Sequence, residues 1–351
     1  MKTAFQYFLP REMLSLAQDN GFRRNQVFQF YKKFYKDSIQ IDEIEGLSKE
    51  LIGFLKTALD FPTLEIVYSK EDSEGNGKIG FKTNDGHIIE SVILARDNET
   101  SICISTQVGC KMNCAFCATA QLGFTRNLEV WEMVEQVRLS YFHFLKGKKT
   151  LTHITIMGMG EPMENFDAVY RAFQIFIHPF IYMIAAKKVT IATSGYLPGM
   201  MKLLEKKVKP SLTISFHAPN QELREKLLPI AKKYPIEQIM DYIKNYPLKK
   251  NKRLSIQYLL LKDINDKPEH AIQLAQLFHG LPVKFNFLKY NTIEFLPFEP
   301  SDEKTREFFI DTMRESGLSS LKRKSFGGDI KAACGQLGYE LLTKKKQGES
   351  A

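Results

Sequence analysis

Three cysteines stand close together in the stretch "GCKMNCAFCATA", residues 109 to 120. Cys110, Cys114 and Cys117 are separated by three and then two residues, and thiolates at this density bind soft metals. The choice is chiefly between zinc and an iron–sulfur cluster. A structural zinc site takes four ligands, typically as two close pairs, and here the second pair is missing unless Cys103 and Cys334 are recruited. The spacing alone leaves both kinds of site open.

Four stretches of sequence, the first of which contains this motif, narrow the choice. In chain order they are "CISTQVGCKMNCAFCATAQLGFTRNL", "IMGMGEP", "ISFHAPN" and "GGDIKAACGQL". Together they resemble the RlmN/Cfr family of radical S-adenosylmethionine (SAM) RNA adenine methyltransferases. The N-terminal "FRRNQVFQFYKKFYKD" is similar to that family's helical RNA-binding module, so the resemblance covers most of the chain.

The resemblance implies a role for every cysteine. Cys110, Cys114 and Cys117 would hold three irons of a [4Fe–4S] cluster, and the fourth iron would bind SAM, which one electron then cleaves to a 5′-deoxyadenosyl radical. Cys334 would take a methyl group from one SAM as S-methylcysteine, and a second SAM would supply the radical that joins this carbon to adenine. Cys103 would release the product through a transient disulfide with Cys334. Without the resemblance, Cys103 and Cys334 are interpreted as small buried hydrophobic residues.

Glu90, in "HIIESVIL", matches the family's proposed proton acceptor and lies thirteen residues before Cys103. A glutamate on a strand otherwise belongs most often to a solvated face. A role as a base requires burial near the substrate, because burial is what tunes a carboxyl pKa toward neutrality.

The resemblance also implies a SAM-binding site. Gly160 and Glu161 in "GMGEP" match positions that contact SAM, with Glu161 accepting a hydrogen bond from its ammonium group, and the glycines permit close backbone approach. The family usually has serine where this chain has Ala192. We expect either Ser194, which lies on the same face of the strand, or the backbone at Ala192 to make that contact. The further matching positions are Ser215, Phe216, His217 and Asn291.

These residues need a scaffold that brings them together. Short apolar runs, each followed by a helical stretch, recur in "SICISTQV", "HITIMGMG", "KVTIATS", "LTISFHA", "LSIQYLLL" and "KFNFLKY". Strands that alternate with helices predict parallel βα units, with functional groups at the C-terminal ends of the strands. The prediction is an α/β protein whose radical SAM core is a partial (βα)6 barrel.

Smaller units flank the predicted barrel. Residues 1–60 are predicted to form a small separate helical domain that binds RNA, and residues 61–98 a β-hairpin linker or extension with turns at "SEGNGK" and "TNDGH". Residues 99–340 would form the barrel with its C-terminal methyl-cysteine loop, and residues 341–351 a flexible basic tail.

Composition sets the compartment and the class of partner. No apolar run approaches the roughly 20 residues that cross a bilayer, and the N-terminus lacks a signal peptide, so we expect a cytoplasmic protein without membrane contact. Five irregularly spaced cysteines then favour metal or catalytic chemistry over structural disulfides. The net charge of +9 suits a polyanion such as RNA, although lysines on solvated helix faces explain it equally well.

The most complete interpretation is a monomeric radical SAM enzyme that methylates an adenosine of 23S rRNA, with tRNA as a further candidate substrate and an electron donor such as flavodoxin. Carbon 2 of the adenine is the expected target, as in the RlmN branch, which "ATAQLGFTRNL" resembles. "SFGGDIKAACGQL" and "KYN" are closer to the Cfr branch, which methylates carbon 8. The other classes left open are a zinc-stabilised RNA-binding module and a radical enzyme that acts on a protein or small molecule.

Overall fold

The chain begins with three helices that pack around an aromatic cluster. The structure, a computed structural model, describes residues 2–37, 40–96 and 99–347. The ring of Phe5 lies at the centre of the cluster, with its centroid 4.9 Å from Phe30, 5.0 Å from Phe34 and 5.3 Å from Phe61. These helices are α1 (Pro10–Gln18), α2 (Arg24–Lys36) and α3 (Lys49–Ala58).

A single ten-stranded sheet forms the body of the molecule. Its strand order is β1-β2-β3-β4-β7-β8-β9-β10-β11-β12, antiparallel from β1 to β4 and parallel from β4 to β12. The two remaining strands, β5 and β6, form a separate antiparallel pair. The strands are β1 (Glu65–Glu71), β2 (Gly77–Lys82), β3 (Ile88–Ala95), β4 (Thr100–Cys103), β5 (Gln107–Gly109), β6 (Phe124–Asn127), β7 (His153–Ile156), β8 (Val189–Thr193), β9 (Ser211–Ser215), β10 (Leu254–Leu260), β11 (Val283–Lys289) and β12 (Ser319–Lys322).

Helices follow the parallel strands and cover the sheet. The alternation confirms the α/β fold class, with the six expected parallel strands present as β4 and β7 to β11 and a seventh, β12, added at the end. Strand β10 is buried along almost its whole length, as parallel strands covered on both faces are. The helices are α4 (Ala118–Gln121), α5 (Val130–Ser140), α6 (Phe166–Phe176), α7 (Leu197–Leu204), α8 (Gln221–Leu227), α9 (Ile236–Asn245), α10 (Pro268–Leu277), α11 (Glu303–Glu315) and α12 (Tyr339–Gln347).

The N-terminal helices share one continuous core with the barrel. The Arg138 guanidinium of α5 lies 4.6 Å from the centre of the Phe34 ring, and its Nε donates to Glu135 at 2.6 Å. Glu135 in turn accepts from the Gln6 side chain at 3.1 Å and from the Thr63 hydroxyl at 2.9 Å. The segment predicted as a separate unit is therefore joined to the barrel by a buried polar network.

The C-terminus differs from the prediction of a flexible tail from residue 341. Residues 341–347 belong to α12, whose Leu341 and Leu342 are buried. Leu342 packs in a small cluster with Ala118 and Ile293. Burial of the two leucine side chains stabilises the helix although lysines follow them in the sequence. Residues 348–351 lie outside the described part of the chain.

Within the described ranges, the helices include none with both the length and the apolar character needed to cross a bilayer.

Candidate active site

The three-cysteine loop runs from the end of β5 to the start of α4 and is closed by backbone hydrogen bonds. Cys110 N–H donates to the Gly123 carbonyl at 2.7 Å, and Cys117 N–H donates to the Cys114 carbonyl at 3.2 Å. Gly109 has φ 73°, and a Cβ there would lie 1.9 Å from the same Gly123 carbonyl oxygen. The loop thus requires glycine immediately before its first cysteine.

The three thiols face one cavity. Its volume is about 160 Å³, and we call it the motif cavity. Burial raises the pKa of Cys110, Cys114 and Cys117, and the neighbouring thiols raise the pKa of Cys110 and Cys114 further. Because thiolates are the form that binds metals, three of them together here need a cation to be stable.

Glu161 also lines the motif cavity, in the glycine-rich turn after β7. Its Oε2 accepts from the Ser194 N–H at 2.8 Å and the Ser194 hydroxyl at 2.7 Å, and its Oε1 accepts from Met163 N–H at 3.0 Å. Burial raises the pKa of Glu161, and these donors partly offset that rise. Ala192, in β8, and Ser194, one residue beyond its end, both line the cavity.

Gly160, beside Glu161, has φ 103°, and a Cβ there would lie 2.6 Å from the Gln107 side chain. Gln107 is fully buried and accepts from the Glu161 N–H at 2.8 Å, which fixes the turn. In this structure the backbone of the turn closely approaches Gln107, at the start of β5.

Ser215, the last residue of β9, and His217, two residues later, also line the motif cavity. His217 has φ 58°, a conformation that is uncommon for any residue other than glycine. Its Nδ1 accepts from Leu259 N–H at 3.0 Å, so the neutral ring carries its proton on Nε2. Burial, with the charge of Arg224 as a second cause, lowers the pKa of His217 to about 3.

Phe216 points away from the motif cavity. Its ring is fully buried against Phe278, at a centroid distance of 4.9 Å, and its backbone carbonyl accepts from Arg224. The Arg224 guanidinium also donates to the Ser194 carbonyl at 2.7 Å and the Ser215 carbonyl at 3.2 Å. Arg224, which sequence reasoning missed, thereby ties the ends of β8 and β9 together beneath the cavity.

A second cavity of about 300 Å³ adjoins the first, and we call it the Cys103 cavity. Cys103, Asn291 and Phe326 line it, and Asn291 Oδ1 accepts from the Ser325 hydroxyl at 2.8 Å. Cys334 lines both cavities and is exposed, whereas burial raises the pKa of the Cys103 thiol to about 11. All five cysteines are free thiols, and Cys334 stands where the two cavities meet.

Known proteins are similar to this chain over different lengths of it. Residues 104–275 match the radical SAM superfamily. A dual-specificity RNA methyltransferase RlmN from Nautilia profundicola is 36% identical over 98% of this chain and 99% of that protein. The chain belongs to the RlmN/Cfr family.

A second relative and a solved structure are also similar to this RlmN/Cfr chain over nearly its whole length. A probable dual-specificity RNA methyltransferase RlmN from Spiroplasma citri is 36% identical over 96% of this chain and 97% of that protein. The crystal structure of a radical SAM methyltransferase from Sphaerobacter thermophilus superposes with a TM-score of 0.90 at 32% identity, covering 96% of this chain and 99% of that one.

Membership in the radical SAM superfamily implies a [4Fe–4S] cluster and SAM as cofactors. The motif cavity of this RlmN/Cfr chain fits both, because three thiols line it together with the buried Glu161 carboxylate and with hydroxyl and imidazole groups. Across the described ranges, no group of three Cys, His, Asp or Glu side chains is arranged to hold a single metal ion. An iron–sulfur cluster does not require the three thiols to converge on one point, since each cysteine binds a different iron.

Glu90 of this RlmN/Cfr chain lies outside both cavity walls. It shares a face of β3 with Val92, which lines the Cys103 cavity, but its carboxylate is fully buried under the C-terminal segment. Glu90 Oε2 accepts from Gly338 N–H at 2.8 Å, and Oε1 accepts from the Tyr68 hydroxyl. Burial raises the pKa of Glu90, but its role as a proton acceptor stays a prediction.

Proposed function

We propose that the chain methylates carbon 2 of an adenosine in 23S rRNA, with tRNA as a second substrate, and that Cys334 carries the methyl group. The observation that carries the proposal is the position of Cys334, whose side chain lines both the motif cavity and the Cys103 cavity. A sulfur at this junction can receive a methyl group from the cofactor side and present it to a base on the other side. Carbon 2 is proposed over carbon 8 because both relatives are named RlmN, the branch for which carbon 2 is the expected target.

In this proposal the bound cluster and two molecules of SAM per turnover supply one methyl group and one carbon radical. The chain supplies orientation. Cys110, Cys114 and Cys117 would hold the cluster, and Glu161, fixed by Ser194, would accept from the SAM ammonium group. Further contacts to SAM would come from the residues that share the motif cavity, namely Gly160, Ala192, Ser215 and His217. The other two positions matched from the sequence lie outside it, because Phe216 is buried against Phe278 and Asn291 lines the Cys103 cavity.

The Cys103 cavity is proposed as the adenosine site. Its rim carries Arg96, Arg323 and Lys324, which suit the phosphates of an RNA backbone. Cys103 remains a neutral thiol at physiological pH because its pKa is raised, so it becomes a nucleophile only when a step of the reaction removes its proton. Its thiolate would attack the Cys334 sulfur, so that the disulfide forms as the bond between this sulfur and the transferred carbon breaks. That carbon would keep the electron pair, take up a proton and leave as a methyl group on the base. Glu90 is the proposed acceptor of the proton that the adenine ring loses.

The remaining parts of the proposal concern the setting. The chain would act as a monomer in the cytoplasm, with an electron donor such as flavodoxin. The reducing conditions of that compartment would keep the five free thiols reduced and would return the Cys103–Cys334 disulfide to the thiol form after each cycle.

The test is anaerobic reconstitution of the full chain, followed by incubation with SAM, a one-electron reductant and ribosomal or transfer RNA. We expect 2-methyladenosine by mass spectrometry of the digested RNA, and 8-methyladenosine instead would assign the chain to the carbon-8 activity. Cys103→Ala should accumulate a covalent protein–RNA adduct, whereas the matched Cys334→Ala should give neither adduct nor product. Normal turnover by Cys334→Ala would overturn the proposal.

A further inference from the structure

Lys78 is a fully buried lysine near the start of β2. Its ammonium group lies 3.5 Å from Glu90 Oε1, pairs with Glu340 Oε2 and donates to the Lys331 carbonyl at 3.3 Å. A buried ammonium group is tolerated only when it is paired in this way. We call Lys78, Glu90, Glu340 and Tyr68 the clasp.

The clasp joins the sheet to the segment that carries Cys334. Lys331 and Gly338 lie on either side of Cys334, and Glu340 follows at the start of α12. Lys78 contacts the first and the last of these three, and Glu90 contacts Gly338. The segment is therefore held against the sheet both before and after the cysteine.

Two rows of directly paired residues build the sheet side of the clasp. In one row Tyr68, Gly80 and Glu90 are partners across β1, β2 and β3. A Cβ on Gly80 would lie 2.3 Å from the Tyr68 ring, so this glycine leaves the space in which the ring crosses β2 to reach Glu90. The phenol thus fixes the carboxylate that receives Gly338.

In the other row Lys78 is opposite Val92, and Val92 is opposite Cys103. Directly paired residues place their side chains on the same face of a sheet. Lys78 and Cys103 therefore share one face, and the ion pair with Glu340 brings the Cys334 segment onto that face.

The other edge of the segment contacts α4, which directly follows the three-cysteine loop. Ala118 N–H donates to the Gly335 carbonyl at 2.8 Å, and the Thr119 hydroxyl donates to the Leu337 carbonyl at 2.7 Å. Gly327, Gly335 and Gly338 all have positive φ values, so the backbone between these anchors relies on glycine turns and not on regular structure. Its position depends on what holds its two edges.

We propose that Lys78 is a positioning residue that, through Glu90 and Glu340, holds Cys334 in line with Cys103 and with the motif cavity. The inference rests on the proposed function for its catalytic consequence, whereas the anchoring itself does not depend on any substrate. It assigns to Glu90 a part in holding the segment that is separate from proton transfer.

The test compares Lys78→Met with Lys82→Met in the reconstituted full-length protein. Lys82 is on the same strand and face but is half-exposed, with one ion-pair contact of 4.0 Å to Glu65. For Lys78→Met we expect amide hydrogen exchange across residues 331–340 to accelerate at least tenfold, with β8 and β10 unchanged. At saturating SAM, the rate of Cys334 methylation should fall at least tenfold while KM for SAM stays within twofold, because the clasp does not line the motif cavity.

Glu340→Gln keeps the shape and should show a smaller effect of the same kind, which covers the case in which Lys78→Met does not fold. Unchanged exchange at residues 331–340 in both variants would overturn the proposal. Equal loss in Lys82→Met would also overturn it. The exchange measurement contains no RNA, so it decides the anchoring role of the clasp independently of RNA methylation. A wild-type protein that fails to methylate RNA would refute the proposed function only.

Discussion

At the scale of single residues, Glu161 shows how a sequence departure is accommodated. The family's usual serine is Ala192 here, and the sequence predicts that either the Ser194 hydroxyl or the backbone at Ala192 makes the contact instead. The structure commits that hydroxyl to Glu161 Oε2, to which the Ser194 N–H also donates. Ser194 thus acts on a ligand through the carboxylate, by orienting it and by holding its pKa below the value that burial alone would give.

We predict that Ser194→Ala weakens SAM binding about tenfold or more, since a hydrogen bond to a charged group contributes about 1.5–3 kcal/mol. Equilibrium binding to the reconstituted protein measures this. Ser211→Ala, which removes an exposed hydroxyl bound to the Lys187 carbonyl, is the control and should leave affinity unchanged.

Ala192→Ser completes the comparison. Because Glu161 already has its donors, we expect affinity within about threefold of the wild-type value, less than the loss of one ordinary hydrogen bond of about 1 kcal/mol. A gain of tenfold or more would show instead that the site lacks a contact at position 192.

Residue chemistry was predictable where it resides in a local motif. The three cysteines and Glu161 follow from short stretches, and the structure places all four around one cavity. Arg224 was not predictable, because "QELREKL" has the composition of any solvated helix. Its function depends on carbonyl groups 8 to 30 residues away, which only the folded chain brings together.

At the scale of elements, the apolar runs in the sequence predicted the parallel strands, whereas elements with polar sequences were not predicted. Strand β12 consists of Ser319–Lys322, and only its buried Ser320 side chain packs inward, so no hydrophobic period marks it. Helix α12 was hidden for a related reason. Its two leucines precede a run of lysines in the sequence, and Leu342 is buried against α4 and the loop after β11, which are distant in sequence.

Helix α7 supports the active site through a glycine. A Cβ on Gly199 would lie 1.9 Å from the Met163 carbonyl oxygen, and the Met163 N–H donates to Glu161. We predict that Gly199→Ala destabilises the protein by about 1–3 kcal/mol, the usual cost of overpacking, and weakens SAM binding in parallel because the Glu161 turn must shift. Thermal unfolding and equilibrium binding measure the two effects.

Gly53→Ala is the matched control, because Gly53 is also within a helix and a Cβ there meets nothing within 4 Å. It should stabilise the chain by about 0.5–1 kcal/mol and leave SAM binding alone. If Gly199→Ala kept wild-type affinity despite lower stability, α7 would have no part in positioning Glu161.

At the scale of the whole molecule, the N-terminal helices and the barrel are expected to unfold together. Composition suggested a small separate unit because aromatic and basic residues dominate α2. The packing of those aromatics was not visible in the sequence, since it depends on α5, which begins more than 90 residues later. In the structure the aromatic rings continue into the barrel, where the Tyr35 and Tyr182 ring centroids lie 5.5 Å apart.

The Glu135–Arg138 pair lies at this junction and provides the test. We predict that Arg138→Met destabilises the whole chain by about 3–5 kcal/mol, because it leaves the Glu135 carboxylate buried without its cation. Trp131, the one tryptophan of the chain, lies on α5 and reports on the barrel by fluorescence, while circular dichroism reports on all helices. Both transitions should shift together in urea.

The control is Lys202→Met, which breaks the exposed ion pair with Asp167 and should change the free energy of unfolding by about 0–1 kcal/mol. An early loss of helical signal with the Trp131 transition unmoved would mean that the N-terminal helices unfold on their own.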